Sequence, residues 1–129
     1  MRKPNYNFFH RIYLALSGLF QALRRERHLK IHFIVAIFLI TPLIWIKVPV
    51  INVWILISLL CLLIVAELFN TAIETTVDLI TKQFSYRAKF AKDVSSSAVL
   101  ILAILVLIFS IFIYWPSMYN LIVGVILGH

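Results

Sequence analysis

The sequence predicts an all-α membrane protein, with an N-terminal amphipathic surface helix followed by three transmembrane helices. Hydrophobic residues make up 63% of the 129-residue chain, against roughly one half in a typical soluble domain. Three apolar runs approach or exceed the ~20 residues that a helix needs to cross a bilayer, and most basic residues lie in two of the segments that flank them. We therefore expect residues 1–129 to form one membrane domain, with no room for a separate soluble domain.

The first predicted element is a surface helix over about residues 7–28. Its apolar side chains recur at helical spacing, on a different face from Arg11 and Gln21. They are Phe8, Ile12, Leu16, Leu19 and Leu23. A helix with one apolar face and a basic polar face is typical of segments that lie along the inner leaflet of a membrane.

Three transmembrane helices are predicted next, at about residues 29–46, 50–80 and 95–115. Pro42 is expected to kink the first of them. The second is too long to be embedded throughout, so its final part should leave the bilayer. We expect the third to end at Pro116, with the short apolar tail after it forming either an interfacial segment or an extension of that helix.

The basic residues predict the orientation of these helices. Seven of the 12 Lys and Arg residues precede the first crossing, four lie between the second and the third, and Lys47 lies in the remaining loop. By the positive-inside rule the N-terminus and the loop before the third helix are cytoplasmic. Orientation and attraction to anionic lipids account for the net charge of +7, and we expect no nucleic-acid partner.

The acidic residues are the most informative feature of the sequence. There are five, and all fall at or near the predicted cytoplasmic boundary: Glu26, Glu67, Glu74, Asp78 and Asp93. Three of them lie on the second transmembrane helix, where their spacing, together with that of Asn70, forms one polar stripe about 16 Å long. Because a carboxylate costs several kcal/mol in a bilayer-spanning helix, this stripe predicts a functional site.

Carboxylates beside clustered Lys and Arg indicate hard oxygen coordination of Mg²⁺ and, with it, phosphoryl transfer. The chain has no GxxxxGK[ST] loop and only three glycines, which excludes the nucleotide sites of P-loop enzymes and protein kinases. The single cysteine, Cys61, lies in an apolar run, and we expect it to pack in the core.

Two other classes of membrane protein stay open at this point. In a small oligomeric ion or proton transporter, Glu67 and Glu74 would form a relay, although beyond Glu67 the second helix offers only Ser58 and Cys61 as weakly polar groups. In a structural membrane-anchoring subunit, the acidic stripe would have no catalytic role.

The stretch AELFNTAIETTVDLI, followed by RAKFAKDVSSSAVLI and preceded by RRERHLKIH, closely resembles the small bacterial integral-membrane diacylglycerol kinase and undecaprenol kinase family. The resemblance implies a homotrimeric bundle with composite sites between subunits in the bacterial inner membrane. It also implies transfer of the γ-phosphate of MgATP to a lipid alcohol at the cytoplasmic interface. The AELFNTAIE form is more similar to the undecaprenol kinase branch than to the diacylglycerol kinase branch.

The resemblance also implies roles for individual residues. Glu67 is expected to be the general base that takes the proton of the lipid hydroxyl, and Asn70 to orient that hydroxyl or the phosphate. The expected nucleotide-binding residues are Glu26, Glu74, Asp78, Lys92 and Asp93, of which Glu26 and Glu74 would hold the Mg²⁺ ion.

Several positions depart from the family pattern or allow a simpler interpretation. His28 stands where Asn is expected, and Ser95 to Ser97 stand where Ala or Gly often follows the A-K-D element. Asp93 could instead cap the third helix, Lys92 could only extend its amine to the interface, and Glu26 could pair with Lys30. The four histidines show no metal-ligand pattern, so we interpret them as interfacial or solvated: His10, His28, His32 and His129.

Overall fold

The computed structural model describes residues 7–127, and over that range it contains four α-helices, one 3₁₀ turn and no strand. Helix α1 spans Phe8–Arg25, α2 spans Arg27–Ile40, α3 spans Val50–Ile80 and α4 spans Tyr86–Leu127, with the 3₁₀ turn at Thr41–Ile44 after α2. The all-α prediction is therefore confirmed. His129, which the sequence suggests is interfacial or solvated, lies outside the described residues.

Within residues 7–127, three segments are long and apolar enough to cross a membrane: Arg27–Ile44, Val50–Ile80 and Tyr86–Asn120. Most of their large apolar side chains point away from the protein, as expected where lipid is the surrounding solvent. With 31 residues, α3 is about 46 Å long, longer than the ~30 Å hydrocarbon core. Part of α3 therefore extends beyond the hydrocarbon core of the bilayer.

The surface helix is shorter than predicted, because a break in the helical conformation separates α1 from α2. The Asn7 side chain caps α1 by accepting a hydrogen bond from the His10 N–H at 3.0 Å. At the other end Glu26 adopts an extended conformation, and α2 starts directly after it. Helix α1 contributes no buried residue, whereas Leu29 in the first turn of α2 is fully buried. The break lets amphipathic α1 and apolar α2 follow different directions.

Helix α4 is longer at both ends than the predicted 95–115. It starts at Tyr86, so only residues 81–85 separate it from α3. It also continues through Pro116, and the expectation that this proline ends the helix is wrong. Proline removes one backbone N–H and its hydrogen bond, which a long membrane helix tolerates. The alternative in which the tail extends the third helix is the correct one. Pro42, where we expected a kink, lies in the 3₁₀ turn.

The core is a seam in which α3 packs mainly against α4, and α2 covers one side. The α3 side consists of Leu56, Leu60 and Leu63, spaced by four and three residues as in a heptad seam. The same alternation leads to Glu67 and Asn70, which are also buried. The polar stripe is therefore a continuation of the apolar seam. Cys61, in contrast, is exposed, and our expectation that it packs in the core is wrong.

Candidate active site

A cleft of about 280 Å³ lies between α2, α3 and α4, at the point where the seam changes from apolar to polar. Its polar lining comes from all three helices: His28, His32, Glu67, Asn70, Glu74 and Ser96. Val99, Leu100 and Ala103 of α4 complete the wall and are apolar. A cleft that combines polar and apolar walls suits an amphiphilic ligand with a polar head and a hydrocarbon chain.

Glu67 is the deepest charged group of the cleft, with only 4% of its surface exposed. Its nearest titratable neighbour is His32 of α2, whose Nε2 lies 3.9 Å from the Glu67 Oε2, beyond hydrogen-bond distance. Among the described residues, the Glu67 side chain forms no hydrogen bond, so its carboxylate remains able to accept one. A buried carboxylate without a strong partner is costly to the fold and marks a functional position.

Asn70 lies one turn from Glu67 and links α3 to α4. Its amide Nδ2 donates to the Glu74 Oε1 at 3.1 Å. Its carbonyl Oδ1 accepts from the Ser95 hydroxyl of α4 at 2.6 Å. Both Asn70 and Ser95 are buried, at 8% and 9% exposure. The three side chains thus form one hydrogen-bonded chain, with Glu74 at its partly exposed end.

A second and wider cavity, of about 540 Å³, lies next to the connection between α3 and α4. Lys92 Nζ lies 2.5 Å from Asp78 Oδ1, and Lys89 Nζ lies 2.5 Å from Asp93 Oδ2. All four side chains line the cavity and are at least one third exposed. Ion pairs this exposed contribute about 1 kcal/mol or less, so a polyanion can compete for the lysines.

The structure argues against the simpler interpretations of Asp93 and Lys92. Asp93 lies seven residues inside α4, which starts at Tyr86, so it does not cap the helix. It pairs instead with Lys89 one turn earlier. Lys92 does more than extend its amine to an interface, because it bridges to Asp78 on the neighbouring helix.

The cleft and the second cavity are adjacent. Glu74 lines the first and Asp78 the second, and these residues are one helical turn apart on α3, about 6 Å along its axis. Ser96 and Lys92 stand in the same relation on α4. A ligand in one cavity can therefore reach a ligand in the other.

Glu26 is the one predicted site residue that lines neither cavity. It lies at the break between α1 and α2, half-buried, and its side chain makes no capping hydrogen bond. Within residues 7–127 there is no group of three or more His, Cys, Asp or Glu side chains that could hold a metal ion. Glu74 still fits Mg²⁺, because this ion is usually held by one or two carboxylates together with substrate phosphates.

Residues 13–114 match the sequence model of the prokaryotic diacylglycerol kinase family. The chain belongs to this family. It is therefore a lipid kinase, and the cleft with its neighbouring cavity is its candidate active site. The matched range includes every residue that lines the two cavities.

Two relatives within this family show how far the similarity extends. A protein of Bacillus subtilis (strain 168) named undecaprenol kinase is 32% identical over 111 residues, which cover 86% of this chain and 90% of the relative. A protein of Synechocystis sp. named diacylglycerol kinase is 34% identical over 110 residues, which cover 84% of this chain and 63% of the relative.

Four polar side chains at this site are not identified as site residues from the sequence: His28, His32 and Ser96 line the cleft, and Ser95 contacts Asn70 from α4. His32 was expected to be interfacial or solvated, but it lies against Glu67 with 18% of its side chain exposed. Its four-residue spacing from His28 places both on one face of α2, and this spacing was the available signal. In the sequence, Ser95 differs from the family pattern but carries no other sign of a chemical role at the site. The one signal of its position is its four-residue spacing from the apolar Val99, which the structure places in the seam.

Proposed function

We propose that this protein transfers the γ-phosphate of ATP to the hydroxyl of a membrane lipid alcohol. The single observation that supports this reaction is the buried Glu67 carboxylate, which lies in a partly apolar cleft beside an open cavity lined by lysines. The lipid head enters the cleft, and the triphosphate occupies the lysine-lined cavity. Glu67 takes the hydroxyl proton as the hydroxyl oxygen forms a bond to the γ-phosphorus and the bond to ADP breaks.

The other side chains of the site bind and orient the reactants. Lys92 contacts phosphate oxygens, with Asp78 and Asp93 beside it on the nucleotide. Asn70, one turn after Glu67 on α3, faces the reacting hydroxyl. Because Glu67 lines the cleft with only 4% of its surface exposed, its carboxylate is accessible to a lipid hydroxyl but largely shielded from water that would otherwise hydrolyse the nucleotide.

Mg²⁺ would be held by Glu74 together with phosphate oxygens, and by Glu26 as a second carboxylate. When bound, the ion offsets the negative charge that moves onto the phosphate oxygens during transfer. Because Glu26 does not line the cleft of its own chain, a homotrimer in which a neighbouring copy completes the site is the assembly we propose.

The acceptor we favour is undecaprenol, with diacylglycerol as the alternative. The AELFNTAIE segment and the relative named undecaprenol kinase, which the alignment covers over 90% of its length, support this choice. We place the protein in the bacterial inner membrane with its N-terminus and its active site on the cytoplasmic side, because the basic segments flank that end of the helices.

The arrangement of α3 argues against an ion or proton transporter. The buried α3 residues beyond Glu67 are Leu63, Leu60 and Leu56. Ser58 and Cys61, the two weakly polar groups of this segment, are exposed on other faces. A proton relay from Glu67 through the seam of this chain would have to cross three leucines, which offer no hydrogen-bonding group.

The test is an acceptor competition in mixed micelles. Purified protein receives MgATP labelled at the γ-phosphate, with undecaprenol and diacylglycerol offered separately and together, beside a Glu74→Gln control. We expect label in a lipid, preferentially undecaprenol, and its loss in the control. Label in neither lipid, together with ion flux into liposomes without nucleotide, would overturn the kinase proposal in favour of transport.

A further inference from the structure

We propose that Ser95 is a positioning residue that sets the orientation of the Asn70 amide and, through it, of the Glu74 carboxylate. This inference rests on the proposed function, because it concerns how the phosphoryl-transfer site is held in place. Ser95 does not line the cleft, whereas Asn70 and Glu74 do. It therefore acts from behind the site, across the seam between α4 and α3.

The Glu74 carboxylate, at one end of the hydrogen-bonded chain, determines which groups of the chain donate and which accept. An ionised carboxylate only accepts hydrogen bonds, so the side of the Asn70 amide that faces Glu74 must be the NH₂ group. The carbonyl Oδ1 then faces Ser95, at 2.6 Å. A carbonyl oxygen cannot donate, so the Ser95 hydroxyl must use its single hydrogen on Asn70.

The Ser95 hydroxyl has a second possible acceptor besides Asn70. The Ser95 Oγ also lies 2.9 Å from the carbonyl oxygen of Lys92, one turn earlier on α4. If its hydrogen turned to Lys92, Ser95 could only accept, and the Asn70 amide would have to turn its NH₂ group away from Glu74. The orientation with Ser95 donating to Asn70 is the one that keeps Glu74 hydrogen-bonded.

The hydrogen-bonded chain also determines that Asn70 offers a hydrogen-bond donor to the cleft. The NH₂ group has two hydrogens, and one of them is used on Glu74. The other remains for a ligand in the cleft, which Asn70 lines. Loss of the Ser95 hydroxyl would leave the buried Oδ1 without its donor and free the amide to rotate, which would displace both the donor and the Glu74 carboxylate.

The test compares Ser95→Ala with Ser97→Ala in the full-length protein. Ser97 is a matched control, because its hydroxyl, like that of Ser95, lies within hydrogen-bond distance of the carbonyl three residues earlier, at 2.7 Å from Val94 O, but it is exposed and, among the described residues, has no partner on α3. Misplacement of a reacting group by ~1 Å can cost about 100-fold in rate, so we expect kcat of Ser95→Ala to fall by roughly 10- to 100-fold, with Ser97→Ala unchanged. Ser95→Thr, which keeps the hydroxyl, should recover most of the loss.

A double-variant cycle separates positioning from a general structural role. If Ser95 acts through Asn70, adding Ser95→Ala to Asn70→Ala should change the residual kcat by less than about twofold. Multiplication of the two single effects would overturn the proposal, as would a kcat of Ser95→Ala within about twofold of wild type.

A spectroscopic readout keeps this test independent of the kinase proposal. The side-chain NH₂ signals of Asn70, assigned by their loss in Asn70→Ala, should shift in Ser95→Ala and stay in place in Ser97→Ala. If no lipid accepts phosphate but these signals shift as expected, the proposed function fails and the contact stands. If phosphate is transferred and the signals of Ser95→Ala do not shift, the positioning role is refuted.

Discussion

Replacement of Glu67 by Gln separates the chemistry of the active site from its stability. Gln has nearly the same size and shape as Glu, but it cannot take a proton from a lipid hydroxyl. Glu67 is 4% exposed and, within the described part of the chain, forms no side-chain hydrogen bond that the substitution would break. We therefore expect Glu67→Gln to lose activity while its unfolding midpoint in detergent stays the same or rises, since a charge is removed from a buried position.

The magnitude follows from the role of a positioned base. General base catalysis contributes about 10²- to 10⁴-fold to a rate, which corresponds to about 3 to 5 kcal/mol of transition-state stabilisation. Glu67→Asp keeps the carboxylate but withdraws it by one methylene, about 1.5 Å, and a shift of this size can cost about 100-fold. We expect kcat to fall in the order wild type, Asp, Gln.

The assay is transfer of labelled phosphate at saturating MgATP and lipid, combined with direct measurement of MgATP binding. Glu67 lines the cleft and not the lysine-rich cavity, so MgATP affinity should change little in either variant. A kcat of Glu67→Gln within about tenfold of wild type would refute the assignment as base. A loss of MgATP affinity as large as the loss of kcat would do the same, because it would make Glu67 a binding residue.

Three further predictions test the seam, the lysine-lined cavity and the wall beside Glu67. Leu63→Ala should lower the free energy of unfolding by about 2 kcal/mol. This is the low end for a buried leucine, because lipid also solvates apolar surface. Thermal unfolding measures the change, and Leu62→Ala, at a lipid-facing position, should have little effect. Lys92→Gln should raise the KM for MgATP about tenfold but lower stability by less than about 1 kcal/mol, because its ion pair is partly exposed. An unchanged KM would remove Lys92 from the nucleotide site. His32→Gln should lower kcat/KM for the lipid alcohol about tenfold by disturbing the wall beside Glu67, with the KM for MgATP unchanged. If only the KM for MgATP changed, the result would contradict the position of His32 in the lipid cleft.

Much of the fold could be predicted from local pattern. The number of spanning helices and the limits of α3 follow from hydropathy and match the structure. The ends of α1 and α4 were less predictable. No Gly or Pro marks the break at Glu26, while Pro116 and the polar residues before Ser95 suggested ends that the long helix α4 does not have. Proline and polar residues are weak stop signals where neighbouring helices support the backbone.

The sequence by itself determined that this is an integral membrane protein and that three of its helices are long and apolar enough to cross the bilayer. It also determined that Glu67, Asn70 and Glu74 share one face of α3. These properties depend on composition and on the local period of 3.6 residues per turn, which a single helix carries alone. Only the tertiary structure decided that His32 lies against Glu67, that Ser95 supports Asn70, and that Glu26 stays outside the cleft of its own chain. Contacts between helices depend on the rotation and offset of each helix, and side-chain packing along the whole seam decides both.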